Sequence, residues 1–374
     1  AHLEEAWQVR DGSLHREHPV ADHHLHLRGR AFLELRVEVR EVGVLEDPGP
    51  ALHDGLREAD RVDDGRVVEL VAQDQVVLGG QEPERGPPGP EVGDDRLGGG
   101  PVHAGGPLGP DGPAGRKYSV NARNGAGVDA CDFEPIWVQT VAAQYALVFA
   151  ECNPSAVANP KALMHARVGA KAADLQGQID ALVATGGIVA KDLVTVLVGA
   201  NDVLELYRQF PARSEIELTD ELKRRGEVTA AQVNRLVNLG ARVLLATVPD
   251  LGLSPYALAE KAAHTDTDRA ALLTRLTAAY NVRMRVGVVN DGRYIGLVLA
   301  DEMVQAIVKV PSAFAVNDVV TAICTTALPD CTPSTLVTGK ASVTSLWADD
   351  TRLAYGGHLR LGALAVTRAT GNPF

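Results

Sequence analysis

Residues 193–198 read Leu-Val-Thr-Val-Leu-Val, an apolar run broken by a single threonine. A run this short, continuous and rich in β-branched residues suits a strand covered on both faces, the condition of a central strand in a parallel sheet. It leads directly into Gly199-Ala200-Asn201-Asp202 and then into a helical pattern from about Asp202. The alternation continues along the chain. Residues 219–239 predict a helix, with Thr219 as N-cap and Gly240 as its stop. Residues 242–248 predict the next buried strand, 267–288 a long amphipathic helix, 294–299 another strand, and 357–370 a closing helix. Strands alternating with helices imply an α/β protein: a parallel sheet, helices on both faces, right-handed crossovers. Chemistry in such sheets gathers beyond the carboxyl ends of the strands. Attention therefore falls on Gly199–Asp202, on Pro249-Asp250, and on the stretch from Trp347 to His358.

Upstream of Lys117 the chain obeys different rules. Residues 1–116 contain no Lys, Ile, Thr, Asn, Met, Tyr or Cys, yet hold 8 of the 11 His, 11 of the 21 Pro and 19 of the 37 Gly. The formal net charge of −12 is concentrated there: residues 1–117 carry 23 acidic and 13 basic side chains, and residues 118–374 carry 25 and 23. Several of the missing residue types have codons rich in A and T, so their joint absence is what a GC-rich gene read in another frame or strand yields. We expect residues 1–116 to be a low-complexity, non-native or disordered segment, and residues 117–374 to be the folded domain. Between Gly79 and Gly115, Gly, Pro and charge cannot offset the ordering entropy. Leu33, Leu35, Val37 and Val39 alternate as in a strand, and Val67, Val68, Leu70, Val71, Val76, Val77 and Leu78 form a further apolar patch. His15, His18, His23, His24 and His26 raise the possibility of a metal-binding protein, against solvated histidines with no cysteine partner. Asp11-Gly12-Ser13-Leu14 has no apolar strand before it to hold Ser13 on a sharp turn.

Within residues 117–374, three stretches stand in a telling order. They are ARVGAKAADLQGQID (166–180), VLVGANDVLELY (196–207) and LWADDTRLAYGGHLRLG (346–362). These resemble the second, third and fifth conserved blocks of the GDSL esterase/lipase family, the SGNH hydrolases, of the bacterial type. Val248-Pro249-Asp250-Leu251-Gly252 fits the same resemblance. It implies a flavodoxin-like, three-layer α/β/α sandwich and a hydrolase of carboxylic esters using Ser–His–Asp chemistry, with no cofactor and no metal. Ester hydrolysis needs a nucleophile, a base, a group that orients the base, and donors for the oxyanion. Carried over residue by residue, Asn201 is the side-chain oxyanion donor, Gly169 the backbone donor, and Asp349 the orienting carboxylate. Two positions depart. The base position, three after Asp349, is Arg352, which stays protonated and cannot accept a proton. His358, six residues further on, is left as a weak substitute base. The nucleophilic serine is not identifiable: residues 85–116 hold none, and Ser119 lacks the Gly-Asp-Ser setting. The first strand and its serine are expected to be missing and the activity impaired, with a non-catalytic ligand-binding member of the same fold as the alternative.

The plain structural readings stand beside these. Asn201 suits a helix cap, Asp349 and Asp350 suit a capping pair before the last helix, His165 and His264 read as surface residues, and Met164, Met284 and Met303 as core fillers. Cys324 and Cys331 flank a short Pro-containing loop that suits a local disulfide, and a Cys131–Cys152 pair is one option, with three connectivities, or four reduced thiols, open. An even cysteine count suits an oxidising compartment, and the resemblance points to a secreted or periplasmic protein, although no signal peptide opens this chain. The expected partner is a small ester or acylated substrate. The acidic balance argues against nucleic acid, no 18-residue apolar run predicts a transmembrane segment, and the oligomeric state is not readable.

Overall fold

A computed structural model describes residues 7–10, 13–16, 67–70, 115–123, 130–184, 186–190 and 192–371. The contacts divide the chain into two units, Ala1–Arg61 and Val62–Phe374. In the first, β1 (Trp7–Arg10) and β2 (Ser13–Arg16) pair antiparallel, with Arg10 opposite Ser13. Ser13 thus opens a hairpin strand. His18, His23, His24, His26 and the alternating residues 33–39 lie outside the described residues, and so does most of the stretch 79–116.

The second unit is organised by a five-stranded parallel sheet. Its strands are β3 (Val67–Leu70), β4 (Ala162–Met164), β5 (Leu193–Leu197), β6 (Arg242–Ala246) and β7 (Ile295–Val298), in the order β4-β3-β5-β6-β7. The apolar run at 193–198 lies at the centre of this sheet, as its composition requires. β3 is the unexpected member. Val67 pairs with both Ala162 and Leu193, so a segment from the compositionally odd region fills the place where the first strand was expected to be missing.

Side chains along β5 and β6 alternate between two cores. Val194, Val196, Val243 and Leu245 join one cluster. It includes residues of α2 (Leu175–Ala184), α3 (Ala200–Tyr207), α4 (Glu215–Asn238), α5 (Pro255–Ala263) and α6 (Arg269–Gly287). Leu193, Leu244, Ala246 and Val298 join the other, with α1 (Trp137–Gln144), α7 (Ala300–Lys309) and α8 (Tyr355–Thr370). Full burial of residues such as Val141, Val304 and Leu361 is worth about 1.5–3 kcal/mol each. Met164, Met284 and Met303 are all buried core residues.

Local signals explain most element ends. α4 begins at Glu215, four residues before Thr219. Ser214 and Glu217 form a reciprocal capping box: the Glu217 N–H donates to Ser214 Oγ at 3.3 Å and the Ser214 N–H to Glu217 Oε2 at 2.8 Å. That pair outcompetes Thr219. Gly240, at φ +101°, ends the helix as expected. His264 is surface-exposed, but His165 is buried, because it directly continues β4 into the core.

Candidate active site

Gly199 turns the chain from β5 into α3 at φ +122°. A Cβ there would stand 2.3 Å from the Tyr280 ring, so only glycine lets the turn pack down on α6. The turn places Asn201 and Asp202 in the first helical turn, beyond the carboxyl end of β5. From there both side chains reach the loop that follows β4. Asn201 Nδ2 donates to the Ala170 carbonyl at 2.9 Å, and the Ala172 N–H donates to Asp202 Oδ2 at 2.9 Å. Gly169, at φ +76°, precedes this anchored stretch and is exposed. The two residues expected to donate hydrogen bonds to an oxyanion are therefore brought together through Ala170.

Asp202 is the buried keystone of that contact. Its other oxygen pairs with Arg225 Nη1 at 3.1 Å, and Arg225 also reaches Glu205 at 2.9 Å and Glu221 at 3.1 Å. Burial pushes the Asp202 carboxyl upward, while the Ala172 N–H and Arg225 oppose the shift. Sequence reasoning singled out Asn201 and passed over Arg225. Its only signal was an arginine on the α4 face, one of several charges there.

Asp349 occupies a tight turn braced by the Ala348 N–H to Arg352 carbonyl bond at 2.7 Å. Its Oδ1 accepts from the N–H groups of Thr351, at 3.0 Å, and Arg352, at 2.7 Å, and its Oδ2 pairs with Arg352 Nη1. The Arg352 guanidinium is buried, lies 5.6 Å from the Tyr118 ring centre, and has no hydrogen-bond partner at Nε or Nη2. Where the resemblance implies a proton acceptor held by Asp349, the structure holds a cation. The Asp350 carboxyl is pushed upward by burial and by the charge of Asp349.

No protein-family model matches this chain, and no curated protein matches it.

His358 sits in the first turn of α8, fully buried, with no hydrogen-bond partner at either ring nitrogen. Burial, with a smaller effect of the Lys117 charge, pulls its pKa down to about 3. An imidazole this weakly basic and sealed from solvent is poorly suited to take a proton from a nucleophile. Asp349 is committed to Arg352, so the structure joins Gly169 with Asn201 and Asp349 with Arg352, and leaves His358 in the core. Ser119 is buried, and its hydroxyl donates to the Leu353 carbonyl at 3.0 Å, a structural bond beneath the same turn. Neighbouring Lys117 is also buried; its Nζ donates to the carbonyls of Cys131, Phe133 and Glu134, and burial lowers its pKa to about 8.

The cysteines form two disulfides, Cys131–Cys152 and Cys324–Cys331. Among the described residues there is no group of three or more His, Cys, Asp or Glu side chains placed to hold a metal ion. Nor, among them, is any helix long and apolar enough to cross a membrane.

Proposed function

We propose that residues 117–374, with β3 (Val67–Leu70) completing their sheet, form a GDSL-type domain built to hydrolyse carboxylic esters, and that this chain is impaired in that reaction. The observation that carries the reading is the Asn201–Ala170 hydrogen bond beside Gly169. An Asn amide has two hydrogens. Ala170 takes one and fixes the amide plane, leaving the second to meet a developing oxyanion together with the Gly169 N–H. The parallel sheet and the two core clusters support a three-layer α/β/α sandwich of the flavodoxin-like, SGNH type. The two disulfides support a secreted or periplasmic setting.

In a complete member a serine hydroxyl adds to the ester carbonyl and gives its proton to a base held by the position-349 carboxylate. The alkoxide leaves as the alcohol, and water releases the acid from the acyl-enzyme. Here the serine has no counterpart, and Arg352 stands where the base belongs. That ion pair supports a second reading, a ligand-binding member of the same fold without turnover.

The test begins with the DNA upstream of the Lys117 codon, read in every frame and on both strands. A Gly-Asp-Ser-Leu reading there, restored in frame and combined with Arg352→His, should hydrolyse p-nitrophenyl butyrate, whereas the present chain should not. A restored protein without turnover overturns the esterase reading. Turnover by the present chain that His358→Ala abolishes overturns the reading that it is impaired.

A further inference from the structure

A groove of about 570 Å³ opens beside Gly169, within the size range of small-molecule sites. Arg167 and Asp174 stand exposed on its rim, and Gly177 and Gln178 of α2 line it. Gln178 is 4% exposed, and neither its Nε2 nor its Oε1 has a hydrogen-bond partner. A buried amide without partners bears the whole cost of its lost hydration. On α2 it stands among Leu175, Ile179 and Leu182, positions filled with apolar side chains, so packing alone does not call for an amide there.

We infer that this groove binds the N-acylamino group of a ligand, with the Gln178 amide as its recognition element. The amide presents donor hydrogens and an acceptor side by side, and its self-complement is another amide. Both amide atoms are buried at the groove lining, so a ligand meets them through a rotamer change of the Gln178 side chain. The rim carries one cation and one anion, which gives no net preference for a charged ligand. This deepens the proposed function, and rests on it for the identity of the reaction: the substrate class is an ester whose alcohol or acyl part bears an N-acylamino group. Gly169 borders both the groove and the proposed oxyanion position, so the amide and the ester carbonyl are read on either side of one residue.

Two substitutions separate the groove from the fold. A Cβ built on Gly177 meets nothing within 4 Å, so Gly177→Leu fills the groove without disturbing the core. Gln178→Leu keeps the volume and removes the amide. The full chain is titrated with N-acetylglucosamine and with glucose by saturation-transfer NMR, with circular dichroism confirming the fold of each variant. Saturable binding of N-acetylglucosamine is expected, with glucose at least about tenfold weaker and each variant losing about tenfold or more. Absence of saturable binding, or equal binding of the two sugars, overturns the proposal. So does loss in only one of the two variants, or in neither. Binding needs no nucleophile, so this measurement fails or succeeds independently of the turnover test on the restored protein.

Discussion

Asn201 and Asp349 both lie in loops that need fixing, and in both loops a carboxylate does the fixing by accepting backbone N–H groups. Asp202, next to Asn201, holds the Ala172 N–H; Asp349 holds those of Thr351 and Arg352. The braces behind them differ. The Asn201 side is held by charge, through Arg225 and its three carboxylates. The Asp349 side is held covalently at one remove: the Cys324 N–H donates to the Ala348 carbonyl at 2.8 Å, and the Asn121 N–H to the Cys331 carbonyl at 2.8 Å. On the proposed reading, the difference teaches which parts of a site outlast its chemistry. A carboxylate that folds its own loop has a structural reason to remain, and Asp349 is that case. A base or a nucleophile has no such reason, and those are the two positions where this chain departs from the family it resembles.

The largest expected effect tests His358. Its folded pKa, about 3, lies below the ordinary 6.5, so the unfolded chain binds the proton first as pH falls. The contribution of His358 is complete above pH 6.5 and is lost progressively down to about pH 3, by roughly 4–5 kcal/mol in total. His358→Leu removes this dependence and, because neither ring nitrogen is partnered, costs little at neutral pH. Urea melts of both proteins between pH 7 and pH 4 check it; parallel pH curves would show that His358 is not the buried neutral group described. On the Asn201 side, Gly199→Ala drives a methyl into the Tyr280 ring at a backbone angle reserved for glycine. A loss of about 3 kcal/mol is expected in the same melts.

The parallel sheet and the Gly199–Asp202 turn were legible because a buried central strand needs a continuous apolar run and the turn follows it at once. The start of α4 was misplaced, since Thr219 looks like a cap in isolation and only the Ser214–Glu217 reciprocity reveals the better one. β3 was visible only as an apolar patch; four residues carry too little pattern to say which neighbours they will pair with. The resemblance named Asn201 and Gly169 together, whereas nothing named Arg225 or Gln178, because a charge on a helix face and an amide on an apolar face show their use only once the neighbouring elements are in place.

Breaking the braces separately sharpens the comparison. Cys131 and Cys152 are 21 residues apart, and replacing both with Ser is expected to cost about 3 kcal/mol by releasing the unfolded chain. The loss should be local before it is global. The loop carrying the Cys131, Phe133 and Glu134 carbonyls holds Lys117, and the segment after Lys117 packs Tyr118 against Arg352 and Ser119 beneath Leu353. Amide exchange at Ala348 and Ala354 should therefore accelerate while Ala172 stays protected. Equal acceleration at all three would mean that the two sides share one brace.

The smallest expected change in stability is also the most direct question about the Asp349 side. Arg352→His removes a buried cation with two unpartnered donors and supplies a smaller ring whose N–H can reach the same carboxylate. Losing the Asp349 ion pair and relieving the unpartnered donors oppose each other, so the net change should stay within about 1 kcal/mol. The informative reading is the titration of the introduced imidazole by NMR. If the turn still aims Asp349 as it does now, the carboxylate holds the proton on and raises the ring's pKa above the ordinary histidine value. That added stability is present below the unfolded pKa and disappears as pH rises through the folded one. A ring that titrates at or below the ordinary value would mean that Asp349 folds its turn and orients nothing, and the proposed ester chemistry would then rest on the Asn201 side alone.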